Sequence, residues 1–169
     1  MALQLFKIAD STVDSPVATV TFSSIPSGYT DLMLVASMRN TDSGGTIARL
    51  QFNGDSASNY TTRTVSGNGA TASSYTASAQ AYITYMAISC SSDTANTFGS
   101  TSIYIPNYTG STQKSLSFDS VEENNATTGY NFLGAGLWSG TSAITSITLL
   151  NPGSTTFVAN STFTLYGVL

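Results

Sequence analysis

Along most of this chain an apolar residue is followed by a threonine or serine and then by another apolar residue. That period of two buries one face of a β-strand and leaves hydroxyls on the other. Val17 to Ile25 sets Val20 and Phe22 against Thr19, Thr21 and Ser23, and stops at Pro26-Ser27-Gly28. Asp31 to Arg39 alternates Leu32, Leu34, Ala36 and Met38 with Met33 and Val35, which predicts a central strand buried on both faces. Thr46 to Phe52 turns Ala48, Leu50 and Phe52 inward and Arg49 and Gln51 outward, and Asn53-Gly54-Asp55 then offers the positive φ of a hairpin turn. A weaker strand runs from Tyr60 through Val65 to Ser66-Gly67-Asn68-Gly69. Tyr75 to Ser89 reads as one segment carrying Tyr82, Ile83, Tyr85, Met86 and Ile88, while Phe98 to Ile105 ends on Pro106. Lys114 to Val121 offers Leu116 and Phe118. Gly129 to Ser139 packs Tyr130, Phe132, Leu133, Leu137 and Trp138 around three glycines, a composition that predicts a bulge or a close backbone approach. Ala143 to Leu150 and Thr162 to Val168 complete the series.

No window of about eleven residues places apolar side chains at helical spacing, and Thr, Ser, Asn and Gly are poor helix-interior residues. The expectation is an all-β fold of about nine or ten strands, a two-sheet antiparallel sandwich of jelly-roll type. A chain of 169 residues fits one domain spanning 1–169.

Composition narrows the functions open to such a sandwich. Charged residues make up 8% of the chain, against about 25% in an average domain, so solubility rests on hydroxyls and amides. Lys7, Arg39, Arg49, Arg63 and Lys114 are scattered singly in a chain of net charge −4, which forms no stripe to neutralise phosphates and argues against nucleic acid. No apolar run approaches the roughly 18 residues of a membrane span. Met1 to Asp10 has no cationic start followed by a long apolar stretch, so the chain is expected to be made soluble and unprocessed. Histidine is absent and Cys90 is the one cysteine, so general-base and thiolate chemistry lack their usual pairing. Cys90 is expected to be a small buried residue, and no catalytic, cofactor-binding or metal-binding residue is assigned.

Each polar cluster in the chain also has a plain structural reading. Glu122 and Glu123 are adjacent, whereas a glycosidase needs two carboxylates about 5 to 10 Å apart across a cleft. Consecutive strand residues point to opposite faces, so a solvated loop after Val121 is expected instead. Asp119, Glu122 and Asn124 could offer calcium its oxygen ligands, but their spacing matches no standard loop. Asn53, Asp55 and Asn59 read as turn residues before a cation site. Asn59, Asn107, Asn125 and Asn160 match the glycosylation acceptor pattern by the chance expected of so Ser/Thr-rich a chain. Trp138 is expected in the core or an interface, and tyrosines near Tyr60, Tyr75 and Tyr108 are the candidates for stacking on a sugar.

Several strings taken in order carry a family likeness: Leu50-Gln51-Phe52-Asn53-Gly54-Asp55 with Asn59-Tyr60, Ala95-Asn96-Thr97-Phe98-Gly99, Ile103-Tyr104-Ile105-Pro106-Asn107-Tyr108, Lys114-Ser115, Glu122 to Asn125, Leu137-Trp138 with Ala143 to Ile147, and Ser161 to Gly167. Together they resemble small virion structural proteins of tailed bacteriophages, many infecting aquatic bacteria, over about residues 30 to 168. The resemblance implies a particle component with no catalytic residue or cofactor. The expected role is a capsid decoration or cement protein, homotrimeric, made in the bacterial cytoplasm and bound to the major capsid protein or other virion proteins. The alternative is a tail fibre or tail-tip module that binds a host surface glycan. Residues 1–25 match less clearly, leaving open a sandwich strand or an arm that attaches to a neighbour.

Overall fold

The computed structural model describes residues 4–44, 47–126 and 128–169. Among them the chain runs through twelve strands and no helix: β1 (Leu5–Thr12), β2 (Thr19–Phe22), β3 (Asp31–Met38), β4 (Ile47–Phe52), β5 (Tyr60–Gly67), β6 (Ala72–Gln80), β7 (Ile83–Ala87), β8 (Gly99–Ile105), β9 (Lys114–Glu122), β10 (Tyr130–Trp138), β11 (Ile147–Leu150) and β12 (Thr162–Val168). They form an antiparallel sandwich of an eight-stranded sheet, ordered β1-β12-β3-β8-β9-β10-β5-β6, and a four-stranded sheet, ordered β2-β11-β4-β7. Without β5, β6, β9 and β10, two four-stranded sheets remain, β1-β12-β3-β8 and β2-β11-β4-β7. Apart from β4 and β7, which pair within the small sheet, successive strands then alternate between the layers as in a jelly roll. The hairpins β5–β6 and β9–β10 are insertions added beyond β8; the two strands beyond the ten segments read from the sequence are β1 and the one gained where Tyr75–Ser89 divides into β6 and β7.

The inserted strands contact β7 from β5, β9 and β10, so the large sheet curls around the edge of the small one. Burial follows the alternation closely. β9 buries Lys114, Leu116, Phe118, Ser120 and Glu122 and exposes every residue between them. β10 stays in continuous register with β9 and β5, so its glycines mark no bulge. They mark a close approach: a Cβ on Gly134 would lie 2.1 Å from the Phe118 ring, and one on Gly136 would lie 2.7 Å from Ile83. Bare backbone lets Phe118 lie flat across the sheet, and burying such a side chain contributes about 1.5–3 kcal/mol.

Three local readings are corrected. β3 lies between β12 and β8, but only Leu32, Leu34, Ala36 and Met38 are buried; Met33 is half-buried and Val35 exposed, because none of the described residues covers the outer face of the large sheet there. Tyr75 to Ser89 is not one strand, since β6 and β7 belong to different sheets and separate at Ala81–Tyr82. Asn53 and Gly54 do adopt the left-handed turn (φ 53° and 66°), closed by the Asp55 N–H donating to the Phe52 carbonyl at 2.9 Å. Yet β4 and β5 lie in different layers, so this turn is a corner between sheets and not a hairpin. At the amino terminus β1 pairs with β12 over Leu5 to Thr12 as a strand of the large sheet.

Replacing Gly134 by valine forces the Phe118 ring from its seat. It should lower stability by about 1–3 kcal/mol, the cost of overpacking a full core. Urea unfolding checks this, and adding Phe118→Leu to the same chain should recover part of the loss.

Candidate functional site

The inter-sheet corner gathers five of the residues whose chemistry stood out in the sequence: Asn53, Asp55, Asn59, Tyr60 and Trp138. Asn53 donates from Nδ2 to the Ala143 carbonyl at 2.8 Å, and its Oδ1 accepts the N–H groups of Thr145 at 2.8 Å and Ser146 at 3.1 Å. Asp55 Oδ2 accepts the Trp138 indole N–H at 2.7 Å and the Asn59 amide at 2.8 Å, while its Oδ1 accepts the Ala57 N–H at 2.9 Å. The Asn59 and Trp138 bonds hold the Asp55 carboxyl below the ordinary carboxylate range. Tyr60 is fully buried, accepting the Phe52 N–H at 3.0 Å and donating to the Asp55 carbonyl at 3.0 Å; burial pushes its hydroxyl up to about 12. The oxygen atoms that could have faced a cation are thus turned onto protein donors. Trp138 lies in the core as expected, stacked on Tyr60 at 6.4 Å between centroids.

The acidic pair separates. Glu122 is the last residue of β9 and only 1% exposed, so the expected solvated loop begins one residue later, at Glu123. Its Oε1 accepts the Asn124 amide at 2.6 Å. Burial, followed by the neighbouring Asp93 carboxyl, raises Glu122 to about 7, with the Asn124 bond opposing. Asp119 points to the opposite face, across from Ser102 and Leu133. No group of three or more metal-ligating side chains occurs among the described residues.

Cys90 is buried, its N–H donating to Asp93 at 2.5 Å. Asn107, Asn125 and Asn160, three of the four acceptor-pattern asparagines, hold left-handed backbone (φ 48°, 55° and 70°), which the asparagine side chain tolerates better than most; turn geometry explains them.

Of the three tyrosines expected to be exposed, Tyr60 and Tyr108 are fully buried, Tyr108 donating to the Pro26 carbonyl. Tyr75 is exposed and stacks on Tyr85 at 5.2 Å. Two buried or anchored cations had no sequence signal beyond their isolation. Lys114 is 1% exposed, its Nζ donating to the carbonyls of Gly110 at 2.6 Å and Thr112 at 2.5 Å, and burial lowers its pKa. The Arg39 guanidinium donates to the carbonyls of Asp93, Thr94 and Thr97.

The outer face of the large sheet is left uncovered by the described residues. Register places residues in rows across all eight strands, one of which runs Asp10, Thr164, Val35, Ser102, Asp119, Leu133, Val65, Ser74. Leu133 and Val65 are paired neighbours, 63% and 56% exposed, with Val121 also exposed diagonally beside Leu133. They form an apolar ridge between two open hollows. One, about 440 Å³, lies over Gly134 and Ala135 beside Arg63 and Ser117; the other, about 330 Å³, lies beside Gly67, Ala72 and Asn131. No protein-family model matches the chain, and no curated protein or solved structure matches it either.

A raised carboxyl favours the folded state below its ordinary value of 4.5, and that contribution is lost as pH rises towards about 7. Glu122→Gln should therefore flatten the decline in melting temperature between about pH 5 and pH 8, read by thermal denaturation across that range. Asp55 has the opposite sign, its contribution failing only as pH falls below the ordinary carboxylate range. Asp55→Ala, which leaves the indole N–H without its acceptor, should cost about 2–4 kcal/mol at neutral pH and shift Trp138 emission.

Proposed function

We propose that this chain is a structural protein of a tailed-phage particle, a capsid decoration protein that associates as a homotrimer on the head and braces the shell. The observation that carries the reading is the Val65–Leu133–Val121 ridge on an open sheet face rich in serine and threonine. Docking such a face removes apolar area from water and desolvates few ions, since the charges on its rows are limited to Lys7, Asp10, Asp31, Arg63 and Asp119. A standard interface buries about 800 Å² on each partner, roughly a tenth of the 7901 Å² surface here. The mechanism is adhesion: contact area added at junctions between capsid subunits, without a reaction. The ordered strings from Leu50 to Gly167 supply the link to virions, because jelly rolls serve in capsid and lectin domains alike and the fold alone does not choose between them.

A second reading, a receptor-binding module of the tail that grips a host glycan, is favoured by a groove at Arg49 described below. Exposed tyrosines are a weaker basis for it than expected, with Tyr60 and Tyr108 in the core.

Immunogold labelling of intact particles should decorate the head, and labelling confined to the tail would overturn the decoration reading. In solution, the double change Val65→Asp and Leu133→Asp should convert a trimer to a monomer by sedimentation while leaving the β-sheet circular dichroism unchanged.

A further inference from the structure

Among the described residues four of the five basic side chains make hydrogen bonds or an ion pair within the protein. Lys7 pairs with Asp10 at 2.7 Å, Arg39 and Lys114 hold loop carbonyls, and Arg63 donates to the carbonyls of Thr62 and Ala77. Arg49 differs. It pairs with no carboxylate among those residues, and its buried Nε has no acceptor. The guanidinium lies over the Tyr82 ring, 4.1 Å from the centroid, a stack that fixes the plane of the fork without occupying its N–H groups.

The space beside it is a groove of about 350 Å³ where the curled end of the large sheet meets the outer side of β4 and β7. Ser78, Gln80, Tyr82, Thr84 and Tyr85 line it with Arg49. Both strands facing the groove are bulged at this point. β7 places two residues, Thr84 and Tyr85, against Arg49 of β4, and β6 places Ser78 and Ala79 against Thr61 of β5. Each bulge holds a non-glycine residue in left-handed backbone, Tyr85 at φ 69° and Ala79 at φ 53°. Strained backbone of this kind survives only where the surroundings enforce it, and it collects at ligand sites. Here two such residues, two bulges and an unengaged guanidinium border a single groove.

We infer that this groove binds an anionic saccharide, with Arg49 taking the sugar carboxylate in a bidentate pair. The guanidinium fork matches a carboxylate, and its pre-stacked plane lowers the ordering cost of the contact. Gln80, Ser78 and Thr84 supply donors and acceptors suited to ring hydroxyls, while Tyr82 and Tyr85 supply apolar surface. The lining favours a sugar over an acidic peptide because it is dominated by hydroxyl and amide groups and has no deep apolar seat for a side chain. The inference names the ligand class of the receptor-binding reading and rests on it, but it is independent of the decoration reading and of where on the particle the chain sits.

The test is a two-dimensional NMR titration of the isotopically labelled full chain, following the Arg49 Nε–H and the backbone amides of Ser78, Gln80, Tyr82 and Thr84. Tetragalacturonic acid, added to about 10 mM to cover millimolar affinity, should shift these signals together. Neutral maltotetraose should leave them in place. Arg49→Met should weaken the response about tenfold or more, as loss of a charge-assisted pair requires, and Arg49→Lys, which keeps the charge without the fork, should fall between. The spectrum of each variant reports its own folding, and the shifts with tetragalacturonic acid stand as a test even where a variant fails to fold. Unmoved Arg49 and groove signals, shifts centred elsewhere, or an equal response to sodium acetate would overturn the site. Tighter binding of tetraglutamate would overturn the saccharide in favour of an acidic protein segment. Particle labelling is unaffected by any of these outcomes, so failure of the groove and failure of the decoration reading are separate results.

Discussion

The hydrogen bond from the Trp138 indole to the Asp55 carboxylate fixes where the chain leaves the small sheet and enters the large one. Tyr60, which opens β5, is held by the same corner through the Phe52 and Asp55 backbone, and Trp138 closes β10 directly opposite it. The β5–β6 hairpin therefore starts from an anchored end. Both the Val65–Leu133 ridge and the wall of the Arg49 groove are carried on that hairpin or against it. A carboxylate that in isolation suggests a metal ligand is here the peg on which the added half of the sheet hangs.

A chain so poor in charge must satisfy its interior with neutral groups, and the few ions it has are placed with care. Lys114 is buried against two carbonyls and the Trp138 ring at 6.0 Å; Arg39 fastens the loop between β7 and β8. Glu122, buried beside Asp93, gains most by holding a proton. Each of these is a local solution to desolvation. Arg49 is the exception, a cation whose protein surroundings leave its Nε unmatched.

Much of the sandwich was legible in the alternation alone, and the reason is physical. Strands such as β9 and β12 bury one face and wet the other, so their period of two is written in residue type. Legibility failed where one face is apolar for a different cause. Met33 and Val35 make β3 look buried on both sides, yet they belong to the open outer face of the large sheet. β6, Ala72 to Gln80, is nearly all small and polar and has no contrast to read, so it merged with β7. The Asn53-Gly54 turn was visible, but whether it joins two strands of one sheet or crosses between layers depends on pairings with β10 and β11, far away in sequence. The Arg49 groove had no sequence signature. It is assembled from strands of both sheets and defined by what Arg49 lacks.

β1 and β12 are adjacent, with Gln4 and Leu169 exchanging backbone hydrogen bonds at 3.4 and 3.2 Å, and they form the opposite edge of the large sheet from β6. The ridge on β9, β10 and β5 lies four to six strand spacings from β1, roughly 20–30 Å along the curled sheet at about 4.8 Å each, and the groove lies at the β6 end. A fluorophore, tether or fused domain joined to either end of residues 4–169 would therefore depart from the same margin and leave both surfaces unobstructed. The molecule is a plaque with both ends at one margin and the ridge and groove away from it, and immobilising it by either end presents those two surfaces alike.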